Sequence, residues 1–211
     1  MRKKINKNNK TKNLIFTTTL DLLRKNGSLI LKDISETANV NIAAINYYYG
    51  DKDNLIKEVI TSELKNLKAG INELATNCIN NPGNPKDDLT KILAYMYDFA
   101  IGNLGLLKYI FSANNKQIAE ETIYLYIHEI SLDTDFMDNV MKLFNVLIPN
   151  YSIKSYNVKY TQLISTFAFP IVMELDILKI DFTYFNSILD DDFRKKYIQQ
   201  LCETFFIECK D

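Results

Sequence analysis

The sequence predicts an all-α protein in which an N-terminal three-helix helix-turn-helix is followed by a larger C-terminal helical bundle. Apolar residues recur at helical spacing along most of the chain, and no alternating pattern is long enough to nucleate a sheet. Residues 1–68 contain 13 Lys and Arg against 7 Asp and Glu, a net charge of +6, whereas residues 69–211 contain 12 against 19, a net charge of −7. We therefore predict two domains, 1–55 and 56–211, with the positive charge at the N-terminal end.

The first two helices follow from the spacing of apolar residues. A helix is predicted at residues 13–26, with its apolar side chains on one face and Gly27 as its stop. A second helix is predicted where apolar residues recur at positions i, i+3 and i+7, namely Leu31, Ile34 and Ala38. The preceding residues 1–12 lack the apolar segment of a signal peptide. They are predicted to form a flexible basic arm, which either keeps the chain in solution or adds phosphate contacts.

The third helix presents two different faces. Asn41 is suited to cap its start, and Ile42, Ile45 and Tyr49 are predicted to pack on the first two helices. The opposite face carries two small residues followed by two aromatic ones, Ala43, Ala44, Tyr47 and Tyr48. Small side chains let a helix backbone approach base edges in a major groove, and tyrosine hydroxyls can donate to phosphates. Because helix, three-residue turn and helix is the spacing of a helix-turn-helix, this face is predicted to contact DNA.

Two further residues extend the predicted DNA-contacting surface. Lys52 follows the expected cap Asp51 at the start of the next helix, where a cation opposes the helix macrodipole unless a phosphate lies nearby. An ordinary solvated lysine explains Lys52 equally well. Asn46 could cap, contact a phosphate or read adenine, and the sequence does not choose among these roles. The candidate DNA-contacting residues are Asn41, Ala43, Ala44, Asn46, Tyr47, Tyr48 and Lys52.

Residues 15–55 resemble the N-terminal pattern of the tetracycline-repressor (TetR) family of bacterial transcription regulators. That pattern is a helix, Gly, Asp-Ile-Ser/Ala, a turn and Tyr-Tyr-Phe-x-x-Lys-x-x-Leu. It is matched here by Asp33-Ile34-Ser35, Ala38, Val40, Ile45, Tyr48, Tyr49, Lys52, Asp53 and Leu55. The departures are Thr19, Asn39, Asn46 and Tyr49, which stand where the family usually has Ala, Gly, Tyr and Phe. The loop at residues 27–34 is also about two residues shorter than is usual, and asparagine tolerates the left-handed conformation that the turn requires at residue 39.

The resemblance implies a homodimer that binds a double-stranded DNA operator, represses transcription and is released by a small-molecule effector. We expect a cytoplasmic protein with no membrane partner, because the longest uncharged runs, 37–50 and 160–173, have 14 residues each. A membrane span needs roughly 18. The alternative is an all-helical interaction module that has lost specific DNA binding. The salt dependence of DNA binding would distinguish the regulator from the interaction module, since true phosphate contacts make DNA affinity fall steeply with ionic strength.

The rest of the chain is predicted as helices separated by polar breaks. A helix at 52–78 links the two parts and ends near the break at residues 80–85. Further helices are predicted at 86–101, 104–113, 115–131, 134–148, 155–178 and 191–209. Pro170 should kink its helix or split it in two.

The last predicted helix is apolar over more than one narrow stripe, which favours a covering partner. The resemblance implies that 155–178 and 191–209 form a four-helix dimer interface. Burial of these apolar residues inside the protomer is the alternative.

The middle helices are rich in aromatic residues. Pockets between helices are mostly apolar with a few placed polar groups, so this composition, with the resemblance, suggests an effector site for an apolar or aromatic molecule. The candidate residues are Tyr95, Phe99, Phe111, Tyr124 and His128. Aromatic residues at helical spacing usually belong to the core, so the effector site competes with simple packing.

No cofactor, metal site or enzymatic activity is expected. Cys78, Cys202 and Cys209 show no Cys-x-x-Cys spacing, and a single histidine leaves few ligands for zinc. Cys202 and Cys209 share a helical face, so a redox sensor is conceivable, but buried packing thiols are the favoured interpretation. His128 and Glu129 are adjacent and would point about 100° apart on a helix, and no nucleophile motif or phosphate loop accompanies them.

Overall fold

The computed structural model describes residues 2–112, 116–128, 132–175 and 187–207, with side chains in the first helix described from residue 9 onward. These residues form ten helices and no strand, which confirms the predicted all-α class. The helices are α1 (Arg2–Asn26), α2 (Leu31–Thr37), α3 (Ile42–Tyr49), α4 (Lys52–Asn80), α5 (Pro85–Gly102), α6 (Leu104–Ile110), α7 (Lys116–Tyr126), α8 (Thr134–Leu147), α9 (Ile153–Glu174) and α10 (Asp191–Phe205).

The chain forms two compact units. Unit 1 comprises Met1–Leu64 and Gly102–Leu125, and unit 2 comprises Lys65–Ile101 and Tyr126–Asp211. The first half of α4 therefore belongs to unit 1 and the second half to unit 2, while α6 and α7 pack with the helix-turn-helix. These units describe packing, and the division into functional domains at residue 55 stays a prediction.

Most predicted helix limits agree with the structure to within a few residues. The linking helix begins at Lys52 as predicted and continues to Asn80. Helix α6 is shorter than predicted and ends at Ile110. The predicted ends at 113, 131, 178 and 209 fall outside the described residues. No described helix is both long enough and apolar enough to cross a membrane.

The N-terminal basic segment differs from the prediction. It was expected to be a flexible arm ending at residue 12, but α1 is one continuous helix from Arg2 to Asn26. Starting a helix is costly, whereas extending an existing one adds a hydrogen bond for each residue fixed. The packed part of α1 supplies that start, and the lysines before it favour helix. The segment therefore extends α1.

Unit 1 is held together by a core to which α1, α3, α4 and α6 all contribute. Ile15, Ile45 and Leu55 are completely buried, and Leu106 and Ile110 from α6 belong to the same cluster. Burial of such side chains stabilises a fold by roughly 1.5–3 kcal/mol each.

Helix α6 approaches α1 closely in unit 1. A Cβ atom at Gly105 would lie 2.3 Å from the carbonyl oxygens of Leu23 and Arg24, so only glycine fits there. Arg24 secures the same junction, because its guanidinium donates to Asn103 Oδ1 at 2.9 Å and to Glu63 Oε2 at 2.7 Å. Glu63 is buried, so this ion pair neutralises a carboxylate that would otherwise be costly inside the unit.

Helix α9 in unit 2 runs through Pro170 without dividing, so the split, one of the two outcomes predicted for this proline, does not occur. A proline has no backbone N–H, which leaves the carbonyl of Thr166 without its helical donor. The hydroxyl of Tyr197 donates to that carbonyl at 2.8 Å. The hydroxyl of Tyr97 donates to the next carbonyl, that of Phe167, at 3.3 Å. Side chains from α10 and α5 thus donate hydrogen bonds to the two carbonyls next to the position where Pro170 lacks an N–H.

The apolar side chains of α10 are largely buried within unit 2. Ile198, Leu201, Cys202 and Phe205 are each less than a tenth exposed, which agrees with the alternative of internal core. Their burial shows that the apolar width of α10 does not require a covering partner. Cys78 is buried too, and burial raises the pKa of both thiols, as expected of packing cysteines. Cys209 lies outside the described residues.

Candidate nucleic-acid interface

The turn between α2 and α3 is closed by two hydrogen bonds between Ser35 and Val40. Asn39 has a φ of +50°, the left-handed conformation expected for this position. The Val40 N–H donates to the Ser35 carbonyl at 3.0 Å, and the Ser35 hydroxyl donates back to the Val40 carbonyl at 2.6 Å. These reciprocal bonds fix the direction in which α3 leaves the turn.

Both ends of α3 are capped. Asn41 Oδ1 accepts from the backbone N–H of Ala44 at 2.7 Å, which confirms the predicted cap. At the other end the Gly50 N–H donates to the Asn46 carbonyl at 2.8 Å, and Gly50 has a φ of +83°. Capping by Asn41 occupies its side-chain oxygen and leaves the amide nitrogen as the group that could donate to a phosphate.

The outward face of α3 is formed mainly by small and aromatic residues. Tyr47 is 75 % exposed, Ala43 and Asn46 are also exposed, and Ala44 and Tyr48 are half-buried. The rings of Tyr47 and Tyr48 meet edge to face with centroids 5.0 Å apart. Tyr48 also packs against the core of unit 1, which leaves Tyr47 as the more accessible of the two.

One prediction about α3 is wrong. Ile45 and Tyr49 are buried as expected, but Ile42 is 42 % exposed. Ile42 is the first residue of the helix and lies one turn before Ile45, at the edge of the unit 1 core. Its side chain is therefore left partly open to solvent.

Helix α4 begins directly after this face. Asp51 Oδ1 accepts from the Asn54 N–H at 2.8 Å, which confirms the predicted cap. Lys52 follows in the first turn, half-buried, where its charge opposes the positive end of the helix dipole. The residues proposed to contact phosphate and base edges therefore come from two consecutive helices of unit 1.

A cleft of about 480 Å³ lies in unit 1 between the start of α4 and α7. Its two walls are linked by an ion pair between Lys57 and Glu121 at 3.3 Å. The lining residues are Asp51, Lys52, Asp53, Asn54, Lys57, Ile60, Gln117, Ile118, Glu121, Thr122 and Leu125. Sequence spacing could not reveal this cleft, because its walls are separated by two intervening helices.

Tyr49 makes a contact that the sequence did not predict. Its hydroxyl donates to the backbone carbonyl of Lys12 in α1 at 2.8 Å. Lys12 Nζ lies 5.0 Å from the centroid of the Tyr49 ring and 3.1 Å from Glu58 Oε2. Burial, with a smaller effect from Glu58, raises the pKa of Tyr49 to about 12. The sequence gives no sign of this contact, because its apolar spacing predicts that α1 begins only at residue 13.

The candidate effector residues are divided between the two units. In unit 2, the Tyr95 hydroxyl donates to the Asn66 carbonyl at 3.2 Å and its ring lies 6.3 Å from that of Phe99, while His128 is exposed. In unit 1, Phe111 packs against the core and Tyr124 is 65 % exposed. None of these five described residues lines the cleft at α4. Their role in effector binding stays a prediction.

Comparison with known proteins supports the fold alone. No protein-family model matches the sequence, and no curated protein matches it. Among solved structures, the chain is similar to a protein of Mesorhizobium loti MAFF303099 that was described as a TetR-family transcriptional regulator and determined at 1.54 Å resolution. The TM-score is 0.68 at 12 % sequence identity, and the match covers 94 % of this chain and 96 % of that one. The chain therefore shares the all-helical fold of that protein.

Proposed function

We propose that this protein is a DNA-binding transcriptional regulator of the TetR type, most simply a homodimeric repressor released from its operator by a small molecule. The observation that carries the proposal is the outward face of α3. Helix α3 is short and capped at both ends, and this face exposes Ala43, Asn46 and Tyr47. The fold shared with a protein described as a TetR-family regulator supports the same conclusion.

The chemistry of the face suits a major groove. Ala43 brings no bulk between the α3 backbone and the base edges, and an alanine methyl can contact the methyl group of thymine. Asn46 can pair with adenine, and Tyr47 and Lys52 can reach phosphates on either side. The net charge of +6 over residues 1–68 favours approach to DNA.

The outward face of α9 supports the proposed dimer. Its outward residues Val158, Phe169 and Val172 are 44 %, 63 % and 41 % exposed. With Gln162 and Ser165 they recur at intervals of four and three residues, the spacing of a helix–helix seam, and no charged residue occurs from 160 to 173. The outward residues of α10 are mostly polar or charged. In a four-helix interface α9 would therefore supply the apolar contacts and α10 the polar ones.

Two-fold symmetry would place two copies of α3 about one DNA turn apart, which adds both contacts and specificity. We expect sedimentation equilibrium to give a dimer and Phe169→Glu to give a monomer, because the variant buries a charge in the seam. A monomer at all accessible concentrations of the unaltered protein would contradict the dimer.

Release by an effector needs only that the ligand prefer the form of the dimer that does not bind DNA. A coupling of about 1–3 kcal/mol would change operator affinity about 5- to 150-fold. We retain Tyr95, Phe99, Phe111, Tyr124 and His128 as candidates to contact an apolar or aromatic ligand. Equal operator affinity with and without a saturating ligand would exclude that ligand as the effector.

The deciding experiment measures binding to DNA from upstream of the protein's own gene, at two salt concentrations, with random DNA as competitor. The test variant is Tyr47→Ala with Lys52→Ala, and the matched control is Lys196→Ala, which removes an exposed lysine of α10. Specific, salt-sensitive binding that only the test variant loses supports the proposal. Absence of specific binding to this fragment and in a genome-wide site selection would favour the interaction module instead.

A further inference from the structure

Tyr49 stands where the resemblance leads one to expect phenylalanine, and the structure gives its extra hydroxyl a partner in another helix. The hydroxyl donates to the Lys12 carbonyl at 2.8 Å. The Lys12 ammonium lies over the Tyr49 ring and pairs with Glu58 at 3.1 Å. Three residues therefore join α1, the end of α3 and α4 at one point.

This junction lies where α1 leaves the core. Among the side chains of α1 that the structure describes, from residue 9 onward, the first completely buried one is Ile15, while Asn9 and Lys10 are exposed. Lys12 and Tyr49 therefore hold the helix just beyond its packed part. The preceding segment is basic, since residues 2–10 contain Arg2, Lys3, Lys4, Lys7 and Lys10 and no acidic residue.

We infer that Tyr49 is a positioning residue for DNA binding, whose hydroxyl fixes the basic extension of α1 (residues 2–12) to α3 so that the cations of this extension add phosphate contacts. The inference rests on the proposed function. Lys12 is already paired with Glu58, so the added contacts come from the cations that precede it. Helix ends fray when nothing holds them. An extension fixed to α3 loses less conformational freedom when it meets the DNA backbone.

Salt dependence distinguishes positioning from mere stabilisation. The logarithm of DNA affinity falls with the logarithm of salt concentration by about 0.9 for each phosphate neutralised. Tyr49→Phe keeps the buried ring and removes only the hydroxyl. If the basic extension is released, the variant should lose about one or two phosphate contacts, so the slope should become shallower by roughly 1 to 2.

The experiment measures binding of full-length proteins to a short mixed-sequence DNA duplex over a series of salt concentrations, which needs no known operator. The proteins are the unaltered chain, Tyr49→Phe, a variant with Lys3, Lys4, Lys7 and Lys10 changed to Gln, and the combination of both. Tyr151→Phe in unit 2 is the matched control. Thermal unfolding is recorded for each protein.

We expect Tyr49→Phe to bind more weakly at low salt with a shallower slope, and Tyr151→Phe to behave like the unaltered chain. In the four-glutamine background, Tyr49→Phe should change the slope by less than it does in the unaltered chain, because four of the five cations that it positions are gone. An unchanged slope in Tyr49→Phe, or the same change of slope in both backgrounds, would overturn the inference alone. Salt-insensitive binding by the unaltered chain would overturn the proposed function and this inference with it.

Discussion

The proline in α9 offers a quantitative test of how unit 2 is held together. Pro170 deprives the Thr166 carbonyl of its helical donor, and the Tyr197 hydroxyl replaces that donor at 2.8 Å. Burial raises the pKa of Tyr197, so the hydroxyl stays protonated and available as a donor. Tyr197→Phe retains the ring and removes only the hydrogen bond.

The magnitude follows from the position of the bond. Leaving a buried carbonyl without a donor costs about 1–3 kcal/mol. The bond is part-buried, so water can partly replace the hydroxyl, and we expect a loss of about 1–2 kcal/mol in the free energy of unfolding. For a chain of this length that loss lowers Tm by roughly 2–8 °C.

Pro170→Ala provides the control, because alanine restores the N–H that can bond to Thr166. In that background Tyr197→Phe should cost less than about 0.5 kcal/mol, a coupling of about 1 kcal/mol between the two positions. Urea unfolding of the four proteins at one fixed protein concentration measures this coupling. Equal losses in both backgrounds would refute the account, since the hydroxyl would then stabilise the protein independently of the proline.

Three further predictions concern unit 1. Gly105→Ala should lower the free energy of unfolding by about 1–3 kcal/mol or more, because the added methyl group overpacks against α1. At Gly102 an added Cβ would meet no described atom within 4 Å, so Gly102→Ala should not lower it. Thermal unfolding of the two variants makes the comparison. Asn39→Ala should cost roughly 1–2 kcal/mol because of the left-handed backbone, and Asn39→Gly should not, as urea unfolding would show. The pKa of Tyr49 is raised from its ordinary value of 10.0 to about 12, so the stability contributed by its neutral hydroxyl is complete below pH 10 and is lost as the pH rises towards about 12. Tyr49→Phe lacks this contribution. Its Tm should therefore fall less steeply with pH over that range than the Tm of the unaltered protein.

Local features of the fold could be predicted from the sequence because they depend on neighbouring residues. The stop at Gly27 and the caps Asn41 and Asp51 are set by backbone rules that act within three or four positions. The outward face of α3 followed from periodicity in the same way. Ile42 was misplaced because periodicity gives the direction of a side chain but not the edge of the core.

Features that depend on distant residues could not be predicted. Arg24 and Asn103 are 79 positions apart, and Tyr197 and Thr166 are 31 apart. Nothing in the spacing of either residue indicates its partner. The helical form of residues 2–12 also depends on residues outside the segment. The composition of the segment itself suggests a flexible arm, whereas the packed part of α1 that follows allows the helix to extend through it.

The core of unit 1 determines how α3 is supported. Leu106, Tyr109 and Ile110 of α6 are buried in the same cluster as Ile15 and Ile45. The first 64 residues therefore do not contain their whole core, and part of the apolar cover comes from a helix that follows α5. Any change that displaces α6 must repack the cluster, because close-packed interiors transmit strain and do not deform freely. The orientation of α3 is thus tied energetically to α6 within one unit.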